Sequence, residues 1–221
     1  MLSNSELLDQ LESDIGKEVN DDNVNRDKVK TLVKTIIIVE GVKRYVFSYK
    51  AITKKANISV VEKITKSTVK HSIKEETLLR EANKTLIKRS KVVKYNKLAK
   101  RQSFLFQKQL KKEGLTIANR KLKIRMGNIF KSELGHLADA GKMGGAKVVN
   151  KLTNKVVTKR WVHNMYGTAR DGRPSHISAN GQTVLIDDMF FVSGMKVNAP
   201  REFGIASEDI NCHCGIDIVL L

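Results

Sequence analysis

The chain has 221 residues, with 41 Lys and Arg against 23 Asp and Glu, a formal net charge of +18. Hydrophobic residues make up 41%, enough for a core, while 5% aromatics, two prolines and two cysteines exclude a collagen-like chain, a Pro/Gly-rich linker and a disulfide scaffold. No run approaches the ~20 apolar residues that span a bilayer, and residues 1–20 show neither a basic nor an apolar leader region, so a soluble protein made in the cytosol is expected.

Ser3 followed by Glu6 fits a capping box, and Leu7, Leu8 and Leu11 then mark one face of a short acidic helix. Residues 31–50 contain the β-branched run Ile36, Ile37, Ile38 and Val39. Leu32, Ile36, Val39, Val42 and Val46 nevertheless recur at helical spacing, which predicts a helix. Residues 60–113 read as one or two long helices. Ile64, Ile73, Leu79, Ala82, Leu86 and Val93 carry a stripe that Leu98, Leu105 and Phe106 continue, with lysines on the other faces. So narrow a stripe predicts an exposed arm that packs against partners along one side. Gly114 is a plausible helix stop. A further helix over 116–139 carries Leu122, Met126, Ile129, Phe130 and Leu137 and is expected to end at Gly141, Gly144 and Gly145.

Composition changes beyond Lys159, where both prolines, the single tryptophan and both cysteines gather. Residues 183–186 and 190–192 read as short strands, Ser193-Gly194 as a turn before a strand at 195–197, and 215–221 as a last strand. The expected class is α+β: a basic, mostly helical region over 1–145, then a compact α+β domain over 146–221 with a short antiparallel sheet.

Charge follows the same division. Residues 26–131 carry +23, residues 1–25 carry −6, and residues 161–221 carry −3. A stretch so basic attracts polyanions, because each Lys or Arg that neutralises a phosphate releases a counterion. The candidate nucleic-acid contacts are Lys84, Lys88, Arg89, Lys91, Lys94, Lys97, Lys100, Arg101, Lys108, Lys111 and Lys112. A zinc-finger pair, an aromatic RNP strand and a helix-turn-helix are all lacking, so contact with DNA is expected through its backbone.

Cys212 and Cys214 with His176 form a possible zinc set, with His163 or His213 as fourth ligand. The other reading makes both cysteines small buried residues beside the last strand and His176 a hydrogen-bonded structural group. Trp161 reads as an aromatic core anchor. Arg170 and Arg173 read as partners of Asp187, Asp188 or Glu208, or else as phosphate contacts. Glu133 and His136, three apart on one helix, read as a surface pair. His163, His176, Asn180 and the cysteines invite comparison with metal-dependent HNH-type nucleases. The adjacent Asp-His or His-His pair and a second Cys-x2-Cys are missing, as are a nucleophile elbow, a phosphate loop and a dinucleotide fingerprint. No catalytic residue is expected.

One ordered set resembles a known family. Lys159-Arg160-Trp161, Arg170 through His176, Gly181, Asp188, Phe191, Pro200 and Ile210-Asn211-Cys212-His213-Cys214 resemble the signature of phage Mu F-like head morphogenesis proteins. Arg125 and the run from Ile129 to Glu133 resemble that family's Arg-Thr-Glu helix, with Lys131-Ser132 in place of Arg-Thr. The resemblance covers about residues 120–216 and makes Glu133, Trp161, Arg173, His176, Gly181 and Asn211 its motif residues. It implies a minor head (minor capsid) protein of the virion, at the portal vertex inside the capsid and in the host cytoplasm during assembly. Head assembly, DNA packaging or ejection would be its role. Its partners would be the portal protein, the inner capsid or scaffold and phage genomic DNA, with an oligomeric state set by the portal and no membrane contact. The competing readings are an HNH-like nuclease and a stand-alone non-specific DNA-binding protein.

Overall fold

The computed structural model describes residues 3–20, 23–61, 72–153, 155–166 and 172–221. The fold is α+β, as composition and periodicity imply. Helix α1 (Asn4–Gly16) opens on the expected capping box. Ser3 Oγ accepts from the Glu6 N–H and the Glu6 carboxylate accepts from the Ser3 N–H. A two-residue hairpin, β1 (Val19–Asn20) with β2 (Asn23–Val24), leads into α2 (Arg26–Lys55). The β-branched run is thus helical, but the buried face is Val29, Val33, Ile37, Gly41 and Tyr45. Val39 is 44% exposed, so the expected face was rotated by about one position. A run of four apolar residues does not distinguish neighbouring stripes.

Residues 59–61 and 72–74 correct the expectation of continuous helix from residue 60. They form a parallel strand pair, β3 (Ser59–Val61) with β4 (Ser72–Lys74); Ile64 lies outside the described residues. Helix α3 (Glu75–Val93) and the long α4 (Tyr95–Leu152) follow, separated by Lys94 in a left-handed conformation.

Helix α4 folds back on itself. Gly114 has φ +76° and ψ 171°, outside helical geometry, and a positive φ is open to glycine without a Cβ clash. Arg125 donates to Gln102 and to Gln109 at 2.8 and 2.9 Å. In a straight helix Arg125 and Gln102, 23 residues apart, would be separated by about 34 Å at 1.5 Å per residue. The two limbs are therefore antiparallel neighbours. This corrects the reading of an exposed arm, because most of the stripe is covered within the chain, with Leu78 buried in place of the expected Leu79. Leu86, Tyr95, Ala99, Phe106 and Leu110 are buried together with Val33, Ile37, Leu122, Met126 and Phe130.

Gly141, Gly144 and Gly145 do not stop α4, which runs to Leu152. They admit α2 instead. A Cβ on Gly141 would fall inside contact distance of the Tyr45 carbonyl oxygen and 2.9 Å from Tyr45 C and Cα. One on Gly145 would lie 2.9 Å from the Tyr49 carbonyl oxygen, and one on Gly144 2.8 Å from the Tyr45 hydroxyl. The cluster is a backbone-to-helix contact. Among the described residues no helix is long and apolar enough to cross a membrane.

The C-terminal part is built on a three-stranded antiparallel sheet in the order β6 (Thr183–Leu185), β5 (Val157–Val162), β9 (Gly215–Leu220). Strand β5 pairs along its length with β9, from Val157↔Leu220 to Val162↔Gly215. A hairpin of β7 (Phe190–Val192) and β8 (Met195–Val197) turns at Ser193 and Gly194, both with positive φ, as the turn signal predicts. Short helices α5 (Pro174–Ser178) and α6 (Ala206–Asp209) complete the domain. Its core centres on fully buried Trp161, which meets Phe190, Phe203 and His176 edge-on at 5.4, 6.3 and 5.7 Å. Met143, Ala146 and Val149 of α4 and Ile52 of α2 belong to the same cluster, so the helices form one wall of this domain.

Candidate metal centre and its supporting network

The sheet and α5 bring three sulfur and nitrogen donors together. Cys212 and Cys214 lie immediately before β9, and His176 is on α5; all three are buried. Their donor atoms lie within 4.8 Å of one another, an arrangement that can hold a metal ion. His176 Nδ1 is 3.6 Å from Cys212 Sγ and 3.7 Å from Cys214 Sγ. His163, just after β5, places its Nδ1 3.7 Å from Cys214 Sγ. Of the two histidines considered as a fourth ligand, His163 has its ring nitrogen beside the Cys214 thiol, outside the group of three donors.

Two features orient the donors. His176 Nε2 is 2.8 Å from the Glu208 carboxylate on α6, which orients the ring with Nδ1 towards the sulfurs. The ring also stacks on Phe203 at 5.2 Å. The hydrogen bond from the Cys214 thiol holds Cys212 well below the usual thiol range, with help from His176 and Arg201, while the same contact and burial push Cys214 up.

Behind the cysteines lies a buried charged network. Fully buried Arg201 donates to the Cys212 and Cys214 carbonyls at 3.0 and 2.5 Å and to the Asp139 carboxylate at 2.6 Å. Asp139, on α4, also accepts from the Tyr166 hydroxyl at 2.6 Å, the Lys142 ammonium at 3.2 Å and the Ile216 N–H at 3.2 Å. Burial, then the Asp139 charge, raises the Tyr166 hydroxyl far above the usual phenol range. Six residues earlier on α4, Glu133 receives the Arg89 guanidinium in a fork at 2.9 and 3.0 Å and the Tyr95 hydroxyl at 3.2 Å. Arg89 also donates to the Arg201 carbonyl at 3.2 Å. These bonds tie α3, α4 and the cysteine loop together.

Three sequence readings change here. Arg89 is buried in an ion pair and is no nucleic-acid contact. Glu133 and His136 are both buried and make no surface pair. Arg173 caps neither Asp187, Asp188 nor Glu208; it donates to the Ile210 carbonyl at 2.7 Å, while Arg170 lies outside the described residues. The remaining motif residues have structural places. Trp161 is the core anchor, and Gly181 and Asn211 occupy left-handed conformations at φ +86° and +57°. Arg201 and Asp139 were missed, and Glu208, read as a partner of Arg170 or Arg173, instead meets His176. Their partners are far away in sequence, and the one local sign was Asp139 between two alanines.

The other ten basic candidates, Lys84, Lys88, Lys91, Lys94, Lys97, Lys100, Arg101, Lys108, Lys111 and Lys112, are all exposed. None forms an ion pair with a described carboxylate.

No family model matches the chain, and no solved structure matches it. The chain is similar to the NAD(+)--arginine ADP-ribosyltransferase EFV of Enterococcus faecalis, with 34% identity over 86 residues. The match covers 39% of this chain and 17% of that protein, so the chain spans less than a fifth of its relative. This finding overturns the expectation of a phage minor head protein without enzymatic activity, because the relative is named as an enzyme. The nuclease alternative gains no support from it either.

Proposed function

We propose that this chain takes part in NAD+-dependent ADP-ribosyl transfer to arginine, as a metal-clipped module of the transferase machinery. The observation that carries the reading is the 34% identity over 86 residues to a protein named for that reaction. In such a transfer the bond between nicotinamide and the ribose carbon breaks, nicotinamide leaves, and an arginine nitrogen bonds to that carbon and loses its proton. The test is the purified full chain with NAD+ labelled on its adenylate half and an arginine-containing acceptor peptide. Nicotinamide release together with label on arginine is expected. Absence of both NAD+ binding and label transfer would remove the reading.

The metal in the clip is proposed to be zinc. Bonds of about 2.3 Å to sulfur and 2.0 Å to nitrogen at a tetrahedral centre put S···N edges at about 3.5 Å. His176 Nδ1 stands 3.6 and 3.7 Å from the two sulfurs, and His163 Nδ1 stands 3.7 Å from Cys214 Sγ. A buried donor set backed by Glu208 and Arg201 supports a structural ion, since a catalytic zinc keeps a position open to substrate.

The ten exposed cations on α3 and the first limb of α4 are proposed as a surface for a polyanionic partner, nucleic-acid backbone being the simplest. Replacing Lys91, Lys94, Lys97, Lys100, Lys108 and Lys111 by Gln should weaken DNA binding and flatten its salt dependence. Each lost phosphate contact takes about 0.9 from the log–log slope. An unchanged slope would refute this surface.

A further inference from the structure

The exposed cations of α3 and the first limb of α4 are interleaved with apolar groups that the core leaves outside. Residues 84–112 hold eleven Lys and Arg and no Asp or Glu. On the limb, Lys97, Lys100, Arg101, Phe104, Lys108 and Lys111 are all exposed. They recur at offsets of 3, 4, 7, 11 and 14, which places them on one face of the helix. Phe104 sits in the middle of that face and is 51% exposed. The Arg26 guanidinium lies over its ring, 5.4 Å from the centroid, and braces it from one side. The described carboxylates next in sequence to this patch are already taken, Asp27 by Lys30 at 3.1 Å and Glu113 by Lys121 at 2.6 Å. Lys97, two turns before Phe104 and about 10.5 Å from it along the helix, borders a groove between α2, α3 and α4. The groove has a volume of about 450 Å³, within the range of small-molecule sites. Ile87, 56% exposed, and half-buried Ile38 give it an apolar side. Lys34, Lys91, Lys94 and Lys97 also line it, and no carboxylate does.

We propose that this face binds single-stranded nucleic acid, with one base stacked on Phe104, another in the groove beside Ile87, and the lysines on the phosphates around them. Any polyanion would use the cations. A duplex would leave the apolar groups idle, because its bases already stack on one another. An aromatic ring and an apolar groove set among cations suit bases whose faces are free, since every base has a face to stack and every nucleotide a phosphate to neutralise. Stacking of this kind does not depend on sequence, in keeping with the lack of a sequence-reading module. The inference rests on the reading of these cations as a polyanion surface and adds to it the form of the nucleic acid. It is independent of the transferase reading.

The test is fluorescence anisotropy of the full chain with labelled oligothymidylate and with a labelled DNA duplex carrying the same number of phosphates. Oligothymidylate is expected to bind more tightly than the duplex at equal salt. Phe104→Ala should weaken oligothymidylate binding roughly tenfold and change duplex binding by less than about twofold. Its salt slope should stay at the parent's value, because no phosphate contact is removed. Phe104→Trp should restore the affinity, with the fluorescence of the new indole quenched by the oligonucleotide. Ile87→Ser should weaken oligothymidylate binding alone. Ile124→Ala, at a position 61% exposed on the second limb of α4, should change neither. All of these substitutions are at exposed positions, so the fold is kept. If Phe104→Ala weakened strand and duplex equally, or neither, the proposal would be overturned and the cation surface would stand. Binding to phosphatidylserine vesicles that is lost in Phe104→Ala, with oligothymidylate binding unmoved, would also overturn it and assign the face to an anionic membrane. An unchanged salt slope in the six-lysine variant would remove the cation surface itself, and this inference with it.

Discussion

Replacing Gly141 by Ala places one methyl group where α4 meets the backbone of α2. The added carbon would lie 2.9 Å from Tyr45 C and Cα and closer still to the Tyr45 carbonyl oxygen. Ordinary contact begins near 3.4 Å, and none of the three atoms belongs to a side chain that can rotate away. The helices must separate by roughly half an ångström or more along a seam that also holds Gly144 and Gly145. Overpacking of this kind costs about 1–3 kcal/mol and occasionally more, whereas Ala in place of Gly inside a helix returns about 1 kcal/mol. A net loss of about 1 kcal/mol is expected, a fall of about 0.5 M in the urea midpoint for a slope near 2 kcal/mol/M. Gly127→Ala is the control. It lies on the same helix, and its new methyl would meet only Leu8 Cδ1 at 3.6 Å, so propensity alone acts and the variant should gain up to about 1 kcal/mol. If Gly141→Ala were as stable as the parent, or moved together with Gly127→Ala, the glycine seam would not be the contact described.

Other perturbations follow from the domain core. Elemental analysis should find close to one zinc per chain, and Cys212→Ser with Cys214→Ser should lose it and melt several degrees lower; a folded parent protein free of metal would refute the clip. Arg201→Met leaves the Asp139 carboxylate without its guanidinium, a loss of about 3–5 kcal/mol for a broken buried pair, and Arg201→Lys should not restore it because one ammonium cannot reproduce the fork; a urea midpoint near the parent's would refute this. Burial, reinforced by Lys147, lowers the ammonium of Lys159 from the usual 10.5 to about 8. Between about 8 and 10.5 the unfolded chain therefore holds a proton that the folded chain has released, so this residue's contribution to stability rises with pH across that window and is flat below it. The difference in unfolding free energy between the parent and Lys159→Met should grow from pH 8 to 10.5, and a constant difference would show that Lys159 keeps its ordinary affinity for the proton.

The parts of this fold legible in the sequence are those that local chemistry decides. The capping box of Ser3 and Glu6 and the turn at Ser193 and Gly194 each occupy a few adjacent residues, and the short strands between turn residues were placed almost to the residue. What the sequence hid depends on distance. Arg89 pairs with Glu133 across 44 residues and Arg201 with Asp139 across 62. Nothing in the neighbourhood of Arg89 separates it from the solvent-facing lysines around it. The glycine cluster misled for a related reason. Glycine does weaken a helix, and only the approach of Tyr45 and Tyr49 shows why α4 tolerates three of them. The narrow apolar stripe implied a missing partner, and the partner was the same chain beyond Gly114. In the candidate metal centre, the residue types Cys, Cys and His pointed to the cluster. The choice of His163 over His213, and the support from Glu208, needed the geometry.

The pairing of β5 with β9 has a kinetic side. Val157 must find Leu220 and Val162 must find Gly215, partners 63 and 53 residues away, whereas α3 and α4 are separated by Lys94 alone and the two limbs of α4 meet across Gly114. Contacts so distant in sequence form late, because loop closure precedes their reward. The helical scaffold can therefore assemble first, with Asp139 and Glu133 already lined up on α4, and the sheet then closes over it when Arg201 docks. The protein carries its own reporter of that second event. Its single tryptophan, Trp161, lies near the end of β5 and is fully buried in a core the sheet shares with α2 and α4, so indole fluorescence registers closure of the sheet over the helices while far-ultraviolet circular dichroism is dominated by the helices. Two spectroscopic clocks in one chain thus time its two halves separately.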